Sequence, residues 1–363
     1  MVDALVSGAS VNCDVRVRLS SRAQILLKIK IMLSAILFLF LTAAPFNVLV
    51  EEQRSGYKCQ LIEYKVPDGD PVRTYLLVPD SASKRRKAPA LVCLHDHGAR
   101  FDIGKEKLVR PIKGTEQHIV QSSRQWIDDN FDGVWFADSL ASLGYVVIVP
   151  DMLYWGERRS RECDEWSRSR FGAKADNEAE LKKTVYEGQR EVYDSLSRKG
   201  VTWAVKTLQE DAYAAQLLSQ LDYVDSSRIG CFGWSMGAHR AWLLASFCPY
   251  VKTGVALCWM TLKSTCANPP KASDFSMLIP GLRDRYDFPD IALALAPKPF
   301  CFLNASEDHL FPKAETDSAF AAMHSVYDAL GLDGALTTEY VEGDHHCGKA
   351  VQKRICRYLE ENL

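Results

Sequence analysis

Arg228-Ile229-Gly230-Cys231-Phe232-Gly233-Trp234-Ser235-Met236-Gly237 is the stretch on which the reading of this chain turns. Its first half is an apolar run of the kind that forms a strand buried on both faces. Its second half has the spacing G-x-S-x-G, and residues 238–247 continue it with a helical pattern. A strand that turns sharply into a helix lifts a serine hydroxyl above the edge of a sheet. Glycine is needed at the flanking positions because strand and helix approach too closely for side chains, while the serine takes a strained backbone conformation. The spacing alone is common. The strand before it and the helix after it make Ser235 the candidate nucleophile.

A serine hydroxyl is a weak nucleophile near neutral pH, so it needs a histidine to take its proton and a carboxylate to orient that histidine. In chains built on such an elbow the acid and then the histidine follow, in loops after later strands. Asn304-Ala305-Ser306-Glu307-Asp308-His309 follows the strand-like run 299–303, and Gly343-Asp344-His345-His346 follows the run 336–341. Asp308, ahead of Phe311-Pro312 and a helix, is preferred as the acid, with its neighbour Glu307 the alternative. His345 is preferred to His346, which would begin the last helix and point elsewhere, and His309 reads as exposed. Acyl transfer also needs backbone N–H donors for the oxyanion. Met236 supplies one, and the loop His95-Asp96-His97-Gly98 after the run 89–94 supplies the other from His97 or Gly98, with His97 preferred. A rival reading gathers His95, Asp96, His97, His345 and His346 as metal ligands. No third anchoring motif accompanies His-x-His, so the expectation is no metal and no other cofactor.

Outward from these motifs, strands alternate with helices. The sequence predicts a hairpin over 58–66 and 72–78, a helix over 131–143, a strand over 145–149 and a helical surface insertion over 156–200. A helix over 201–221, strands over 255–259, 299–303 and 336–341, and helices over 314–330 and 349–361 follow. That order implies an α/β domain with a mostly parallel sheet covered on both faces. One catalytic domain is expected over 51–363, with insertions near 100–130, 156–200 and 261–286 walling the substrate pocket. Residues 1–50 read as a leader. Within it Lys28 and Lys30 precede an apolar run over 31–44, read as a helix over 22–41 packed on the domain or, alternatively, as an export signal. The run falls short of the roughly 20 residues of a confident membrane span.

Composition narrows the partners. Apolar residues make up 47% and charged residues 25% of the 363, as in a globular protein with a sizeable core. Lys plus Arg (44) nearly balances Asp plus Glu (46), so no long-range field would hold nucleic acid or an anionic membrane, and a small, weakly charged substrate is expected. Membrane association through the run 31–44 stays open. The 11 cysteines are odd in number, include no C-x-x-C pair, and at Cys93, Cys231, Cys258 and Cys301 lie in apolar runs. They read as reduced core thiols and favour the cytoplasm over export.

From about residue 57 onward the chain resembles the dienelactone-hydrolase-related branch of the α/β-hydrolases, near bacterial esterases grouped with acetyl xylan esterases. The most specific stretches are Leu94-His95-Asp96-His97-Gly98-Ala99-Arg100-Phe101-Asp102-Ile103-Gly104-Lys105, the stretch around Ser235, and Glu307-Asp308-His309-Leu310-Phe311-Pro312. The resemblance implies the α/β-hydrolase fold, a triad of Ser235, Asp308 and His345, and hydrolysis of a small ester, an acylated sugar among the candidates. It also implies a helix before the first strands. Dienelactone hydrolases carry cysteine where this chain carries Ser235, which points away from dienelactone as substrate. Two rivals share the fold: a serine peptidase of the prolyl-oligopeptidase type, which the lack of a propeller-like domain disfavours, and a non-catalytic binding protein, which the ordered serine, acid and histidine disfavour.

Overall fold

The computed structural model describes residues 45–67, 69–172, 177–266, 275–279 and 285–363. The expected helix over 22–41 and much of the insertion over 261–286 lie outside the described residues.

The described strands form a nine-stranded sheet: β1 (Phe46–Arg54), β2 (Tyr57–Lys65), β3 (Pro71–Pro79), β4 (Ala88–Leu94), β5 (Val146–Pro150), β6 (Val224–Trp234), β7 (Thr253–Leu257), β8 (Phe300–Ala305) and β9 (Leu336–Val341). Their order is β1-β2-β3-β5-β4-β6-β7-β8-β9. β1, β2 and β3 form an antiparallel meander that joins β5 antiparallel, and from β5 to β9 every pairing is parallel. This is the α/β-hydrolase fold. The described α-helices are α1 (Gln117–Asn130), α2 (Phe136–Ser142), α3 (Arg161–Phe171), α4 (Glu178–Arg198), α5 (Trp203–Gln220), α6 (Met236–Phe247), α7 (Phe288–Ala292), α8 (Lys313–Ala329) and α9 (Lys349–Asn362).

The period-two alternation of strand side chains builds two cores. Ala90, Val92, Cys231 and Phe302 face one side, with Leu217 of α5 and Trp242 and Leu244 of α6. Leu91, Cys93, Phe232, Val255 and Cys301 face the other, with Phe136 and Leu140 of α2 and Ile355 and Leu359 of α9. Burial of each larger apolar side chain is worth about 1.5–3 kcal/mol, which explains why these central runs were readable as strands. Cys59, Cys93, Cys163, Cys231, Cys248, Cys258, Cys301 and Cys347 are buried free thiols, and Cys356 is a half-buried one. Among the described residues no helix is long and apolar enough to cross a membrane.

Two differences from the expected elements have local causes. β1 begins at Phe46, inside the stretch 1–50 read as leader, and its Val48, Leu49 and Val50 are exposed, so pairing with β2 rather than core burial holds it. The helix expected over 131–143 starts only at Phe136, because Asp132 (φ 53°) and Gly133 (φ 76°) turn left-handed and break it from α1. Strand register places the future site: Leu94 pairs with Gly233, Trp234 with Leu257, Leu257 with Leu303, and Ala305 with Val341. The carboxyl ends of five strands therefore share one edge, where ligands of open α/β sheets bind.

Candidate active site

Ser235 sits between β6 and α6 with φ 56° and ψ −125°, a conformation costing on the order of 1–3 kcal/mol. The surrounding bonds impose it. Its N–H donates to Leu257 O at 2.8 Å, and its carbonyl accepts from Ala238 N at 2.8 Å and His239 N at 3.2 Å. A Cβ on Gly233 would lie 1.9 Å from Gly237 O, and one on Gly237 would lie 2.0 Å from Leu94 O. Both flanking glycines are thus steric necessities.

The two downstream loops are tied to each other. Ser306 N donates to Val341 O at 2.9 Å and Glu307 N to Gly343 O at 2.8 Å, while Gly343 N donates to Ser306 Oγ at 3.2 Å. Asp308 is buried, whereas Glu307 and His309 are exposed. Asp308 Oδ1 accepts from Leu310 N at 2.9 Å and Phe311 N at 3.2 Å, and Oδ2 accepts from His345 Nδ1 at 2.8 Å. The His345 ring lies between Trp234 (centroids 5.3 Å apart) and Phe311 (5.8 Å). His346 turns away to Asp132 Oδ1 at 2.9 Å. Asp308 and His345 are therefore brought together beside the residue preceding Ser235. Among the described residues the Ser235 hydroxyl makes no hydrogen bond, so the serine-to-histidine contact is open in this conformation. Such contacts commonly tighten only with substrate in place.

Cys258, left-handed at φ 54° after β7, was not singled out as a site residue. Burial and then the charge of Asp308 push its thiol well above the ordinary range, so it stays protonated beside the carboxylate. Cys258, Asp308 and His345 offer ligand atoms within 4.8 Å of one another, and they are the described group able to converge on a metal ion. A metal would have to displace the thiol proton. The rival cluster read from the sequence does not converge, since His95 and His346 are engaged elsewhere.

The loop after β4 is built from buried polar groups. His95 Nε2 accepts from Met152 N at 3.1 Å, which leaves the proton on Nδ1 to donate to Asp96 O at 2.9 Å. His97 Nδ1 accepts from Ala99 N at 3.0 Å, so Nε2–H donates to Gln189 Oε1 of α4 at 3.2 Å. The insertion over 156–200 thus rests on this loop, and Trp166, Val185 and Gln189 are buried rather than lying on a surface. Asp151, after β5, anchors the next turn: its carboxylate accepts from Lys105 N and Nζ, both at 2.7 Å, and from Glu157 N at 3.0 Å. Lys105 is fully buried, which its charge conceals in the sequence.

Burial drives His95 well below the ordinary imidazole range, and burial followed by the Lys107 cation lowers His97 to about 3. Both rings are expected to stay neutral from pH 7.5 to 5. The unfolded chain takes up protons below about pH 6.5, so each ring's preference is fully expressed above that pH. It is lost as pH falls, by up to about 1.4 kcal/mol per unit for the fully buried His95. Imidazole nitrogen resonances should show no titration of either ring over this range, and a midpoint near 6.5 at His95 would contradict the assignment.

The pattern of the dienelactone hydrolase family matches residues 127–328, more than half of the chain. The chain belongs to the dienelactone hydrolase family. The matched span contains Ser235 and Asp308, while His345 and the loop after β4 lie outside it. Within this family setting, YtaP of Bacillus subtilis (strain 168), a protein named as a hydrolase, is 25% identical over 277 residues, 76% of this chain and 79% of that protein. A Bacteroides fragilis NCTC 9343 protein named as an acetyl xylan esterase superposes with TM-score 0.63 at 17% identity, covering 88% of this chain and 75% of its own. A glucuronoyl esterase from Solibacter usitatus superposes with TM-score 0.59 at 12% identity over 92% of both chains. At these identities the superpositions speak for the α/β-hydrolase fold.

Proposed function

We propose that this member of the dienelactone hydrolase family is a serine esterase that cleaves small carboxylic esters through an acyl-enzyme, as one catalytic domain over 51–363 together with the rest of β1. The observation that carries the reading is the 2.8 Å contact between Asp308 and His345, on loops that strand register brings to the edge bearing the strained Ser235. Ser235 Oγ attacks the ester carbonyl as His345 Nε2 takes its proton, and Asp308 holds Nδ1–H and offsets the imidazolium charge. The oxyanion is received by the N–H groups of Met236, whose place in the first turn of α6 leaves it without an intrahelical acceptor, and of His97. Collapse expels the alcohol, protonated by His345. Water deprotonated by His345 then releases the acid and restores Ser235.

An acylated sugar is the proposed substrate class, supported by structural neighbours named as acetyl xylan and glucuronoyl esterases. The buried free thiols support a cytoplasmic setting, which a form exported and cleaved near residue 44 would overturn. The deciding experiment treats the purified protein with a fluorophosphonate, maps the adduct by peptide mass spectrometry, and assays esters of graded acyl length with sugar acetates and a peptide amide alongside. Modification of Ser235 with faster turnover of short esters is expected. Ester hydrolysis without a Ser235 adduct would remove the nucleophile assignment, and faster cleavage of the amide would remove the esterase reading.

A further inference from the structure

Lys107 lies in a short turn between the loop after β4 and α1, and its side chain is completely buried. Its ammonium donates to Asp96 O at 2.8 Å, to His97 O at 2.7 Å and, at a longer 3.4 Å, to Asp96 Oδ2. The Trp126 ring lies 5.2 Å away. A lysine buried to pair with a carboxylate would make its shortest contact there. Here the carbonyls, at 2.8 and 2.7 Å, are closer than the carboxylate at 3.4 Å, which makes the backbone of this loop the principal partner.

The two carbonyls belong to peptides with a particular importance. The Asp96 carbonyl shares its peptide plane with the N–H of His97, and the His97 carbonyl shares its plane with the N–H of Gly98. These are the two oxyanion donors that the sequence left in competition. In a trans peptide the C=O and N–H point in opposite directions, so a donor anchored on the oxygen fixes where the N–H is aimed. Each carbonyl has a further donor that adds to the hold: Asp96 O also accepts from His95 Nδ1 at 2.9 Å, and His97 O also accepts from Trp155 Nε1 at 3.1 Å. Neither N–H has an acceptor among the described residues. A Cβ on Gly98 would lie 2.3 Å from the Trp126 ring and 2.6 Å from Asp96 Oδ2, so the loop cannot be re-aimed by simple substitution there.

We infer that Lys107 is the positioning residue of the oxyanion site: by holding the Asp96 and His97 carbonyls, it fixes the peptide planes of this loop and so aims its oxyanion donor, the His97 N–H. The inference rests on the serine-esterase reading above. Loss of one oxyanion donor costs about 10²–10³ in kcat, and loosening the His97 donor by removing its anchor belongs at the lower end of that range.

The test compares the wild type, Lys107→Met, Lys107→Arg and Trp155→Phe as full-length proteins, with p-nitrophenyl acetate as substrate and an arylboronic acid as tetrahedral probe. Thermal melts and circular dichroism establish which variants fold. For folded Lys107→Met, kcat is expected to fall about 10²-fold with KM changed by less than about threefold, boronate affinity falling in step and Lys107→Arg recovering part of the loss. Trp155→Phe, which keeps an aromatic ring but removes one donor to His97 O, should lower kcat and boronate affinity together by about fivefold, and it serves if Lys107→Met does not fold. Unchanged kcat in either folded variant overturns the inference, as does a lower kcat with unchanged boronate affinity. A wild type that the boronate does not inhibit overturns the serine reading and this inference with it. Failure confined to the variants leaves the serine reading standing.

Discussion

Ser235→Ala is expected to lower kcat for a small ester by on the order of 10⁵–10⁶ while leaving the fold intact. The scale comes from removal of the nucleophile in an unrelated serine hydrolase, and the argument for transferring it is local. Without Oγ there is no covalent step, and only oxyanion binding and substrate positioning remain to favour attack by water. The structure also explains why the variant should fold. Alanine meets the same positive-φ penalty as serine, the backbone bonds to Leu257 O, Ala238 N and His239 N are untouched, and the hydroxyl makes no hydrogen bond to lose among the described residues. Activity and unfolding midpoint are measured on the same preparation. Retention of more than about one part in 10³ of wild-type kcat by a homogeneous sample would rule Ser235 out as nucleophile.

Asp308→Asn is expected to cost about 10⁴ in kcat, the scale seen when a triad carboxylate becomes its amide. Here the direction follows from the hydrogen bonds. Leu310 N and Phe311 N both donate to Oδ1, so the asparagine must keep its carbonyl oxygen on that side and present its NH₂ to His345. Nδ1 then has to become an acceptor, the proton moves to Nε2, and the ring can no longer take a proton from Ser235. Glu307 is the internal control. It is exposed, and among the described residues its carboxylate makes no hydrogen bond, so Glu307→Gln should change kcat by less than about tenfold, roughly 1.4 kcal/mol. His345→Ala should match or exceed Asp308→Asn, and His346→Ala, which removes a partly exposed partner of Asp132, should stay mild. All variants are assayed at one pH near neutrality on folded protein. A crippled Glu307→Gln beside an active Asp308→Asn would shift the acid by one residue.

The parts of this architecture that were readable are those where local pattern and tertiary role agree. The run 229–234 is apolar because both its faces are buried, and the G-x-S-x-G spacing follows because the next turn is sterically crowded. Asp308 and His345 could be chosen since each falls just after a strand, and strand ends are where loops of this fold meet. Other parts were hidden for physical reasons. β1 is an edge strand with exposed side chains on either side of a register shift at Val48 and Val50, so it carries neither a buried run nor clean alternation. α1, with the sequence QHIVQSSRQWIDDN, has too few apolar residues to separate it from the pocket wall expected there. Nothing in the pattern marks Lys105 and Lys107 as buried, because their partners are remote or lie in the backbone: Asp151 is 46 residues from Lys105, and Lys107 chiefly meets carbonyls. Sequence patterning reports apolar burial well. It is nearly silent on buried charge, since what makes such burial tolerable is a set of partners that only the folded chain assembles.

The ties between the downstream loops make the acid and the histidine parts of one bonded unit. Asp308 and His345 travel together, because Ser306 and Glu307 are bonded to the strand and turn that carry the histidine. Ser235 travels with β7 through Leu257 O, while the loop after β4 is pressed against α6 at Gly237. Between these two bodies runs the β7–β8 junction, whose register comprises Val255, Ala256 and Leu257 against Cys301, Phe302 and Leu303. That junction is closed by its ladder and by Cys258 N donating to Leu303 O at 2.6 Å. The relative placement of serine and histidine is therefore inherited from strand pairing, not from the conformation of any one loop.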